Sequence, residues 1–591
     1  MSFGSSARFK SALPVFLIIL FGFTIYFNSL RGGFIWDDAG LVRDNLYLRS
    51  WSNLGSIFTG NIWAGIGEGS MVYRPLQVFT YLIDYSLWGL NPFGYHLTNL
   101  ILHILAALTV YRFVKELFCR RTLALFAGIL FLAHPAQVEA VSYISGRADS
   151  LAAIFLLWSF IFYIRSLKKN NIFFPLAMSL SFILALLSRE NAIILPALLL
   201  LYHYAFKERF RFKAYLPCLA IGAVYIFSRF IFMASVFYDV PAQSTLIQRL
   251  PGFFVAFANY LRILFLPFDL HMEYGNFLFG FRNPGAIAGA ALIFILVFAA
   301  VRIRDSSRLA CFSILWFLVT LFPVSNLYPI NSYMAEHWLY LPLIGFAMVV
   351  GRIFEVYYRR HKAKALPLFL FACLASGYGY LTFRQNDYWN SGISFFRRTL
   401  KYAPRSTKVY YNLGNLLSDA GDSAGGIKMY QEAIRINPRY AEAYNNIGSV
   451  YISLGKNREG EGYCLKALEI NPLLPSAYYN LSNAYYNLGL KEKALEAAEE
   501  AVRLNPFYPE AYNNLAAGYA EKGEIARAVG LWEKCVKLDP DFTAAHFNLA
   551  VFYFNLKQYE AAVMHADKVI ALGGVIDPVF MEKLKPYRGN K

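Results

Sequence analysis

The sequence predicts an all-α protein in which a multi-span membrane domain precedes a solenoid of two-helix repeats. Two patterns predict this fold class. Hydrophobic stretches follow one another up to about residue 385, each about long enough to cross a ~30 Å hydrocarbon core as a helix. After Asn386 a 34-residue period takes over. Composition agrees, since 57% of the 591 residues are hydrophobic and only 16% are charged, against roughly a quarter in soluble proteins.

We predict eleven membrane spans in residues 1–385, and a long first outer loop over residues 31–95. The composition excludes a fibrous, a disordered or a disulfide-framework protein. The spans are predicted at about 12–30, 96–114, 122–140, 149–164, 172–187, 192–206, 214–236, 285–301, 309–324, 337–353 and 366–383.

The formal net charge of +18 first suggests nucleic-acid binding, but its distribution indicates membrane topology instead. Residues 386–591 carry 24 basic against 22 acidic side chains, so the excess lies in the apolar part. Basic clusters mark alternate connections between spans. By the positive-inside rule these connections and the N-terminus are cytoplasmic, and an odd number of spans places the C-terminal domain outside. No nucleic-acid partner is predicted.

One apolar segment, residues 245–268, breaks this alternation because both of its ends must lie outside. It contains Asn259 and Arg262. Polar groups at membrane depth need protein or water around them. We therefore predict a re-entrant or interfacial helix there.

The C-terminal domain, residues 386–591, has five repeats over about 407–574, preceded by a half-repeat over 389–403. Its period is marked by prolines 34 residues apart and by columns of tyrosine, leucine and small residues, a pattern that resembles the tetratricopeptide repeat (TPR). The prolines are Pro404, Pro438, Pro472, Pro506 and Pro540. The half-repeat is predicted to pair with an extension of the last membrane helix.

One repeat column consists of asparagine alone and is predicted to face the concave groove. An amide both donates and accepts hydrogen bonds, so a ladder of amides can hold the backbone of an extended peptide. The alternative is that these side chains only tie the repeats together. The column comprises Asn412, Asn446, Asn480, Asn514 and Asn548.

Polar clusters on the predicted outer side are candidates for chemistry. Asp37 and Asp38 follow the first span, where burial and a neighbouring charge can make one carboxylate a base; a loop end or a helix N-cap is the alternative. Acids together with Arg and His suit a phosphate-bearing substrate. Local pairing at helix ends is the alternative for Arg147 with Asp149 and for Arg189 with Glu190. The candidate donor-binding residues are Arg74, His134, Glu139, Arg147, Asp149, Arg189, Glu190, Glu336 and His337.

These motifs resemble those of the transmembrane and TPR-repeat-containing O-mannosyltransferases, in the same order across nearly the whole chain. The resemblance implies a GT-C glycosyltransferase fold, in which an outer-loop aspartate activates the acceptor and a polyprenyl-phosphate sugar is held at the membrane. Gln137 and His337 depart from the family pattern. The motifs are Phe34-Ile35-Trp36-Asp37-Asp38, Tyr73-Arg74-Pro75-Leu76, Gly94-Tyr95-His96 with Asn99, His134-Pro135 with Glu139, Gly146-Arg147-Ala148-Asp149 and Ala335-Glu336 to Pro342.

Carried over to this chain, the resemblance implies inverting transfer of a sugar, with mannose favoured, to Ser/Thr hydroxyls of polypeptides that the repeats present. Asp37 or Asp38 is the base, and Arg147, Arg189, Arg74 or His337 stabilises the leaving phosphate. The alternatives are a non-enzymatic membrane-anchored scaffold or secretion adaptor and a GT-C oligosaccharide ligase. No metal site is predicted, although a divalent-metal requirement stays open. The plasma membrane of a prokaryote is favoured over the endoplasmic reticulum.

Overall fold

The computed structural model is all-α, as predicted, and its chain divides into two compact units. It describes residues 3–588 except 68, 71, 234–243, 276, 328–329 and 331, and describes no side chains in 3–11 and 230–233. The first unit comprises Met1–Arg43, Leu54–Ile62 and Gly69–Pro404; the second comprises Asp44–Asn53, Trp63–Glu68 and Arg405–Lys591. The predicted end of a span at 234–236 therefore lies outside the described residues.

The first unit contains sixteen α-helices among its described residues. In chain order they are α1 Phe3–Tyr26, α2 Leu54–Thr59, α3 Pro75–Trp88, α4 Pro92–Phe118, α5 Arg121–Ala133, α6 Val138–Ser142, α7 Arg147–Lys168, α8 Phe173–Ser188, α9 Leu195–Phe206, α10 Phe212–Met233, α11 Leu246–Phe265, α12 Pro284–Ile303, α13 Arg308–Leu321, α14 Pro342–Arg360, α15 Ala365–Trp389 and α16 Gly392–Tyr402. Short 3-10 helices join several of them, including Phe27–Arg31, Pro135–Gln137, Ile144–Gly146, Glu190–Ile194, Phe322–Val324 and Glu336–Leu339.

Aromatic side chains form the core between helices α4, α7 and α13. The ring centroid of Phe113 lies 5.2 Å from that of Phe160 and 5.3 Å from that of Trp316. All three rings are fully buried. Because large aromatic side chains contribute most of the apolar area that folding buries, these contacts hold the helices of the first unit together.

Five of the predicted membrane spans are long apolar helices in the structure. Among the described residues, five helices are long and apolar enough to cross a membrane, namely Ala12–Arg31, Pro92–Phe118, Ile144–Lys168, Pro284–Ile303 and Ala365–Trp389. Phe173–Ser188, Glu190–Phe206 and Arg308–Val324 are apolar but shorter. Polar motifs interrupt the predicted stretches and shorten the helices. The first unit is nevertheless that of a multi-pass membrane protein.

The predicted third span is broken in the middle. Helix α5 ends at Ala133, and the following pair of short helices, Pro135–Ser142, leaves at an angle of 59°. Pro135 cannot continue the helical hydrogen bonding of α5, which explains a bend at this position. If this bent pair counts as one span, the number rises to six.

The segment predicted to be re-entrant or interfacial forms one continuous helix, α11. It begins with a capping box, in which the Thr245 side chain accepts from the Gln248 backbone and the Gln248 side chain accepts from the Thr245 backbone. It continues past Pro251 to Phe265. The chain therefore does not turn back on itself within this helix.

One buried carboxylate joins the basic ends of helices α5 and α14. Glu355 on α14 is fully buried, and its oxygens lie 3.1 Å from Arg120, 2.5 Å from Arg352 and 2.8 Å from Arg359. Arg120 immediately precedes α5, so this cluster joins α5 to α14. A buried charge needs such partners because its desolvation is costly.

The second unit consists of five helix pairs and a C-terminal helix. They are α17 Thr407–Asp419 with α18 Ser423–Ile436, α19 Ala441–Ser453 with α20 Asn457–Ile470, α21 Pro475–Asn487 with α22 Lys491–Leu504, α23 Pro509–Glu521 with α24 Ile525–Leu538, α25 Thr543–Asn555 with α26 Tyr559–Ala571, and α27 Pro578–Leu584. Two segments of the first outer loop, 44–53 and 63–68, belong to the same unit. The ring of Tyr47 lies 6.4 Å from that of Phe507, and Asn505 donates to the Ile66 carbonyl at 3.4 Å.

Left-handed backbone at the turn within each repeat leads to a prediction about stability. Gly421, Gly455, Gly489 and Gly523 have φ between 77° and 85°, whereas the fifth repeat has Lys557 there with φ 63°. A left-handed conformation costs a non-glycine residue about 1 kcal/mol. We expect Lys557→Gly to slow amide hydrogen exchange in α25 and α26, and the reverse exchange, Gly523→Lys, to speed it in α23 and α24. Unchanged exchange in both variants would contradict this reading of the turn.

Candidate active site

The two predicted catalytic aspartates lie in a turn that follows Phe27–Arg31 and differ in their surroundings. Asp38 is buried, with 1% of its surface exposed. Its Oδ2 accepts from the Ile35 N–H at 3.1 Å, and its Oδ1 accepts from the Ser145 N–H at 2.8 Å and the Ser145 hydroxyl at 2.5 Å. Asp37 is partly exposed, and its backbone N–H donates to the Tyr143 hydroxyl at 3.2 Å.

Burial controls the acidity of Asp38. It raises the pKa of this carboxyl to about 7, and the nearby charge of Asp37 acts in the same direction, while the three hydrogen bonds lower it. Burial and the two aspartate charges also hold the pKa of Tyr143 well above 10, so its hydroxyl stays protonated. The turn therefore holds one enclosed carboxylate and one that a substrate can reach.

The backbone of the turn is strained, and aromatic side chains hold it. Trp36 has φ 58°, a conformation that non-glycine residues rarely adopt. Its ring stacks on Phe396 at 5.6 Å. The ring of Tyr143 packs against Trp389 at 5.6 Å. Strain of this kind persists where the surroundings fix the conformation, which is common at active sites.

Arg147 lies beneath this turn and is fully buried. Its Nε donates to Asn99 Oδ1 at 2.9 Å, Nη1 donates to the Thr80 hydroxyl at 3.1 Å, and Nη2 lies 2.6 Å from Asp84 Oδ2 and 3.1 Å from the Tyr95 carbonyl oxygen. Asn99 Nδ2 in turn lies 3.0–3.2 Å from the carbonyl oxygens of residues 141, 143 and 144. These contacts anchor the segment that supplies Tyr143 and Ser145 to the aspartate turn.

The remaining predicted donor-binding residues, except His134, form one charged network. The Arg74 guanidinium meets the Glu190 carboxylate through two hydrogen bonds of 2.9 and 2.5 Å, and Arg189 pairs with Asp149. Glu139 accepts from the backbone N–H of His337 at 2.9 Å, and its Oε1 lies 2.5 Å from Nδ1 of the same histidine. Asp149 interacts electrostatically with Arg74, Glu139 and His337 as well, so the three pairs are neighbours.

Glu336 lies at one side of this network. Its carboxylate accepts from the His271 N–H at 2.5 Å and from the Tyr274 hydroxyl at 2.7 Å. Burial and the charge of Glu139 raise the pKa of Glu336 well above its ordinary value.

His134 stands apart from the network. It is fully buried, and its Nε2 lies 3.0 Å from the Leu264 carbonyl oxygen at the end of α11. Its ring packs against Tyr378 at 4.9 Å. These contacts join the break after α5 to α11 and α15.

Several residues of the site were missed by the sequence analysis. Tyr143 and Ser145 form hydrogen bonds with Asp37 and Asp38 in the aspartate turn. In the sequence, only their position just before Gly146-Arg147 marks them. Arg229 on α10 interacts electrostatically with Tyr73 and Tyr225, and Tyr225 interacts with Arg74 and Glu190. An arginine within an apolar stretch is a functional candidate, a signal that could have identified Arg229.

The predicted asparagine ladder lies on the first helix of each pair, and four of its five side chains, those after Asn412, donate hydrogen bonds to the preceding repeat. Asn446 Nδ2 donates to Asn415 Oδ1 at 2.8 Å, and Asn514 Nδ2 donates to Asn483 Oδ1 at 2.6 Å. Asn480 and Asn548 donate to the preceding repeat at 2.9 and 3.1 Å. This is the pattern that the tying alternative predicts. A cavity of about 250 Å³ adjoins Asn514 and is also lined by Asn483, Tyr486, Lys491 and Glu521.

Known protein families match residues in both parts of the chain. The dolichyl-phosphate-mannose-protein mannosyltransferase family matches residues 75–232, and TPR families match residues 414–455, 441–472, 475–508 and 531–564. The crystal structure of MamA, 25% identical, covers 27% of this chain and 94% of its own with a TM-score of 0.24.

Two curated relatives each match about two thirds of the chain. Protein O-mannosyl-transferase F38B6.6 of Caenorhabditis elegans is 28% identical over 433 residues, covering 68% of this chain and 60% of its own length. Protein O-mannosyl-transferase TMTC3 of Homo sapiens is 25% identical over 442 residues, covering 67% and 48%. The chain thus spans about half the length of the curated relatives it matches. The mannosyltransferase match, the repeats and these relatives agree that the chain is similar to the TPR-containing protein O-mannosyltransferases.

Proposed function

We propose that the protein transfers mannose from a polyprenyl-phosphate donor to Ser/Thr hydroxyls of polypeptides. The observation that carries this proposal is the pairing of an accessible carboxylate, Asp37, with the charged network of Arg74, Arg189 and His337 in one compact unit. Ser145, which holds the aspartate turn, lies in the short helix Ile144–Gly146, and Asp149 of the network lies in the first turn of α7, four residues later. A base and a phosphate site that share one short segment suit a glycosyl transfer.

In the proposed reaction Asp37 acts as the general base. Its carboxylate takes the proton of the acceptor hydroxyl, and that oxygen attacks the anomeric carbon of the sugar. The bond between this carbon and the phosphate oxygen breaks, and the lipid phosphate leaves with the bonding electrons. One displacement inverts the configuration at the anomeric carbon. Asp38, enclosed by Ile35 and Ser145, positions the turn and does not touch the substrate.

Arg74 and His337 are proposed to hold the leaving phosphate, with Arg189 and Arg229 contributing positive charge. Both Arg74 and His337 have partly exposed side chains. Fixed charges that point at a developing anion commonly make the largest single contribution to stabilising the transition state. The Glu190 partner of Arg74 is itself partly exposed, so a phosphate can replace it. Arg147 and His134, buried and engaged within the protein, are assigned positioning roles instead.

The repeats are proposed to present the acceptor polypeptide. Inter-repeat bonding of the asparagine ladder is compatible with this role, because an amide has two N–H donors and a carbonyl oxygen. The cavity beside Asn514, with an amide, a tyrosine and charged side chains of both signs, supplies contacts suited to a peptide backbone and polar side chains. Presentation would raise the local concentration of acceptor.

The acidity of Asp38 predicts a pH dependence of transfer. Below about pH 7 the carboxyl gains a proton, so one of its three donors loses an acceptor and the turn loosens. We expect the transfer rate to rise with pH through about 7. In Ser145→Ala, the acid limb of the plot of transfer rate against pH should move to higher pH, because a hydrogen bond that lowers the pKa of Asp38 is removed. In Asp38→Asn, the residual activity should show no such limb. An unchanged limb in both variants would show that another group controls it.

Transfer itself is tested with purified protein in nanodiscs, a radiolabelled donor and a Ser/Thr-containing peptide. We expect label on the peptide with polyprenyl-phosphate mannose and none with a nucleotide-linked mannose or with a peptide whose Ser and Thr are replaced by Ala. Donor binding without transfer would favour the scaffold alternative, and transfer to a lipid-linked glycan would favour the ligase.

The relatives compared are animal proteins, and the prokaryotic plasma membrane stays a prediction.

A further inference from the structure

A second cavity, of about 210 Å³, lies in the first unit away from the aspartate turn. It is enclosed by the loop that follows α11, the last turns of α15, and α16. Its lining includes Phe268, Asp269, Tyr380, Arg384, Tyr388 and Arg398. None of these residues belongs to the charged network of Arg74, Arg189 and His337.

Guanidinium groups gather around this cavity. Arg398 is fixed in place, because its Nε and Nη2 lie 3.4 and 3.3 Å from the Leu270 carbonyl oxygen and its guanidinium lies 3.7 Å from the Tyr388 ring centroid. Arg384, which is exposed, donates from Nη1 to the Tyr380 hydroxyl at 3.2 Å. Arg262 donates to the Phe268 carbonyl oxygen at 3.4 Å, at the same loop.

The acid in the lining of this cavity already has a partner. Asp269 accepts a hydrogen bond from the Tyr402 hydroxyl at 3.1 Å. Its backbone has φ 61°, an unfavourable conformation for a residue other than glycine. In this turn the carbonyl groups of the neighbouring residues 268 and 270 point at Arg262 and Arg398. The cavity and its edge therefore carry a positive excess, and one of the arginines is preorganised.

The rim of the cavity is apolar and exposed. Phe265, Leu266, Phe268 and Tyr380 are each between 51% and 63% exposed. Helix α15 is long and apolar enough to cross a membrane, and Arg384 lies in its last two turns. Aromatic and basic side chains at the end of a spanning helix mark the level of the lipid headgroups. A ligand with a phosphate group and an apolar tail matches both the lining and the rim.

We propose that this cavity binds the phosphate headgroup of a membrane lipid, at a site separate from the one proposed for the sugar donor. Arg384 and Arg398 contact the phosphate, since guanidinium groups form paired hydrogen bonds with phosphate oxygens. The tyrosine hydroxyls donate to it as well, and the lipid chains lie against Phe265, Leu266 and Phe268. A mere interfacial anchor needs neither a cavity nor a fixed Arg398.

The test measures lipid binding to the full chain in the Asp37→Asn background, so that catalytic turnover does not interfere. The probes are phosphatidylglycerol, polyprenyl monophosphate, inorganic phosphate and diacylglycerol, which lacks the phosphate. We expect the double variant Arg384→Gln/Arg398→Gln to bind phosphatidylglycerol at least about tenfold more weakly. For polyprenyl monophosphate, the number of binding sites per protein should fall from two in the parent to one in the double variant. Arg397→Gln, an exposed neighbour on α16, is the matched control and should bind as the parent does.

The probe panel distinguishes the sources of the phosphate. Binding of phosphatidylglycerol without inorganic phosphate identifies a lipid headgroup as the ligand. If inorganic phosphate also binds, and binds more weakly in the double variant, the phosphate site is supported and a free anion is sufficient to occupy it. Equal binding of diacylglycerol and phosphatidylglycerol, or equal affinities in the double variant and Arg397→Gln, would overturn the proposal. If the double variant melts early, Arg384→Lys/Arg398→Lys, which keeps both charges but loses the paired guanidinium hydrogen bonds, should bind more weakly than the parent and more tightly than a charge-free variant of the same stability.

Discussion

Replacing Asp37 by asparagine is expected to lower the rate of mannosyl transfer by about a thousandfold. An amide cannot accept the hydroxyl proton at neutral pH, and general bases contribute factors of this order. The side chain of Asp37 is partly exposed, and asparagine has nearly the same size and shape as aspartate. The measurement is single-turnover transfer of labelled mannose to a peptide, with saturating donor.

Asp38→Asn is the matched control for this experiment, because it removes the adjacent carboxylate. We expect a smaller loss of transfer rate in Asp38→Asn than in Asp37→Asn. The carbonyl oxygen of the new amide can still accept the hydrogen bonds from Ser145. Its NH2 group faces the Ile35 N–H and cannot accept that hydrogen bond. Donor and peptide binding should persist in Asp37→Asn. If Asp38→Asn lost all transfer while Asp37→Asn kept it, the roles of the two aspartates would have to be exchanged.

The second large effect is expected on stability, in the variant Arg147→Met. This change leaves Asp84 as a buried carboxylate without its ion-pair partner, and such losses destabilise proteins by about 3–5 kcal/mol. The hydrogen bond to Asn99, whose amide holds residues 141–144, is lost as well. We expect a melting temperature lower by several degrees for the full chain in detergent, together with loss of transfer.

Two companions separate this structural role from a phosphate-binding role. Arg165→Met removes an arginine of the same helix whose pairing with Glu116 is partly exposed, so its melting temperature should change little. Arg147→Met/Asp84→Leu removes both buried charges and should recover part of the lost stability. A normal melting temperature for Arg147→Met with weakened donor binding would return Arg147 to the phosphate site.

The helices and repeats follow from local pattern, which explains why the sequence predicts them well. The 34-residue period specifies helix pairs because each pair must bury the same face against its neighbours. Apolar stretches likewise predict where the membrane helices are. Their ends were harder to place, because the break at His134-Pro135 and the late start of α14 at Pro342 depend on contacts with residues far away in the chain.

The candidate site was predicted in its residues but only partly in their roles. The motifs and polar clusters of the sequence named Asp37, Arg74, Arg189 and His337, and the structure brings the last three into one network. It gives Arg147 and His134 buried partners more than a hundred residues away or on other helices, which no spacing in the sequence reveals. For the same reason the donors that tie the asparagine ladder between repeats could not be distinguished from free peptide contacts.

The most direct test of the proposed reaction is the configuration of the sugar in the product. A Ser/Thr peptide is incubated with the wild-type protein in nanodiscs and polyprenyl-phosphate mannose of known anomeric configuration, and the glycopeptide is examined by NMR. A single displacement with Asp37 as base predicts one mannose on a hydroxyl oxygen with the opposite configuration. A retained configuration, or a peptide without mannose, would contradict the account.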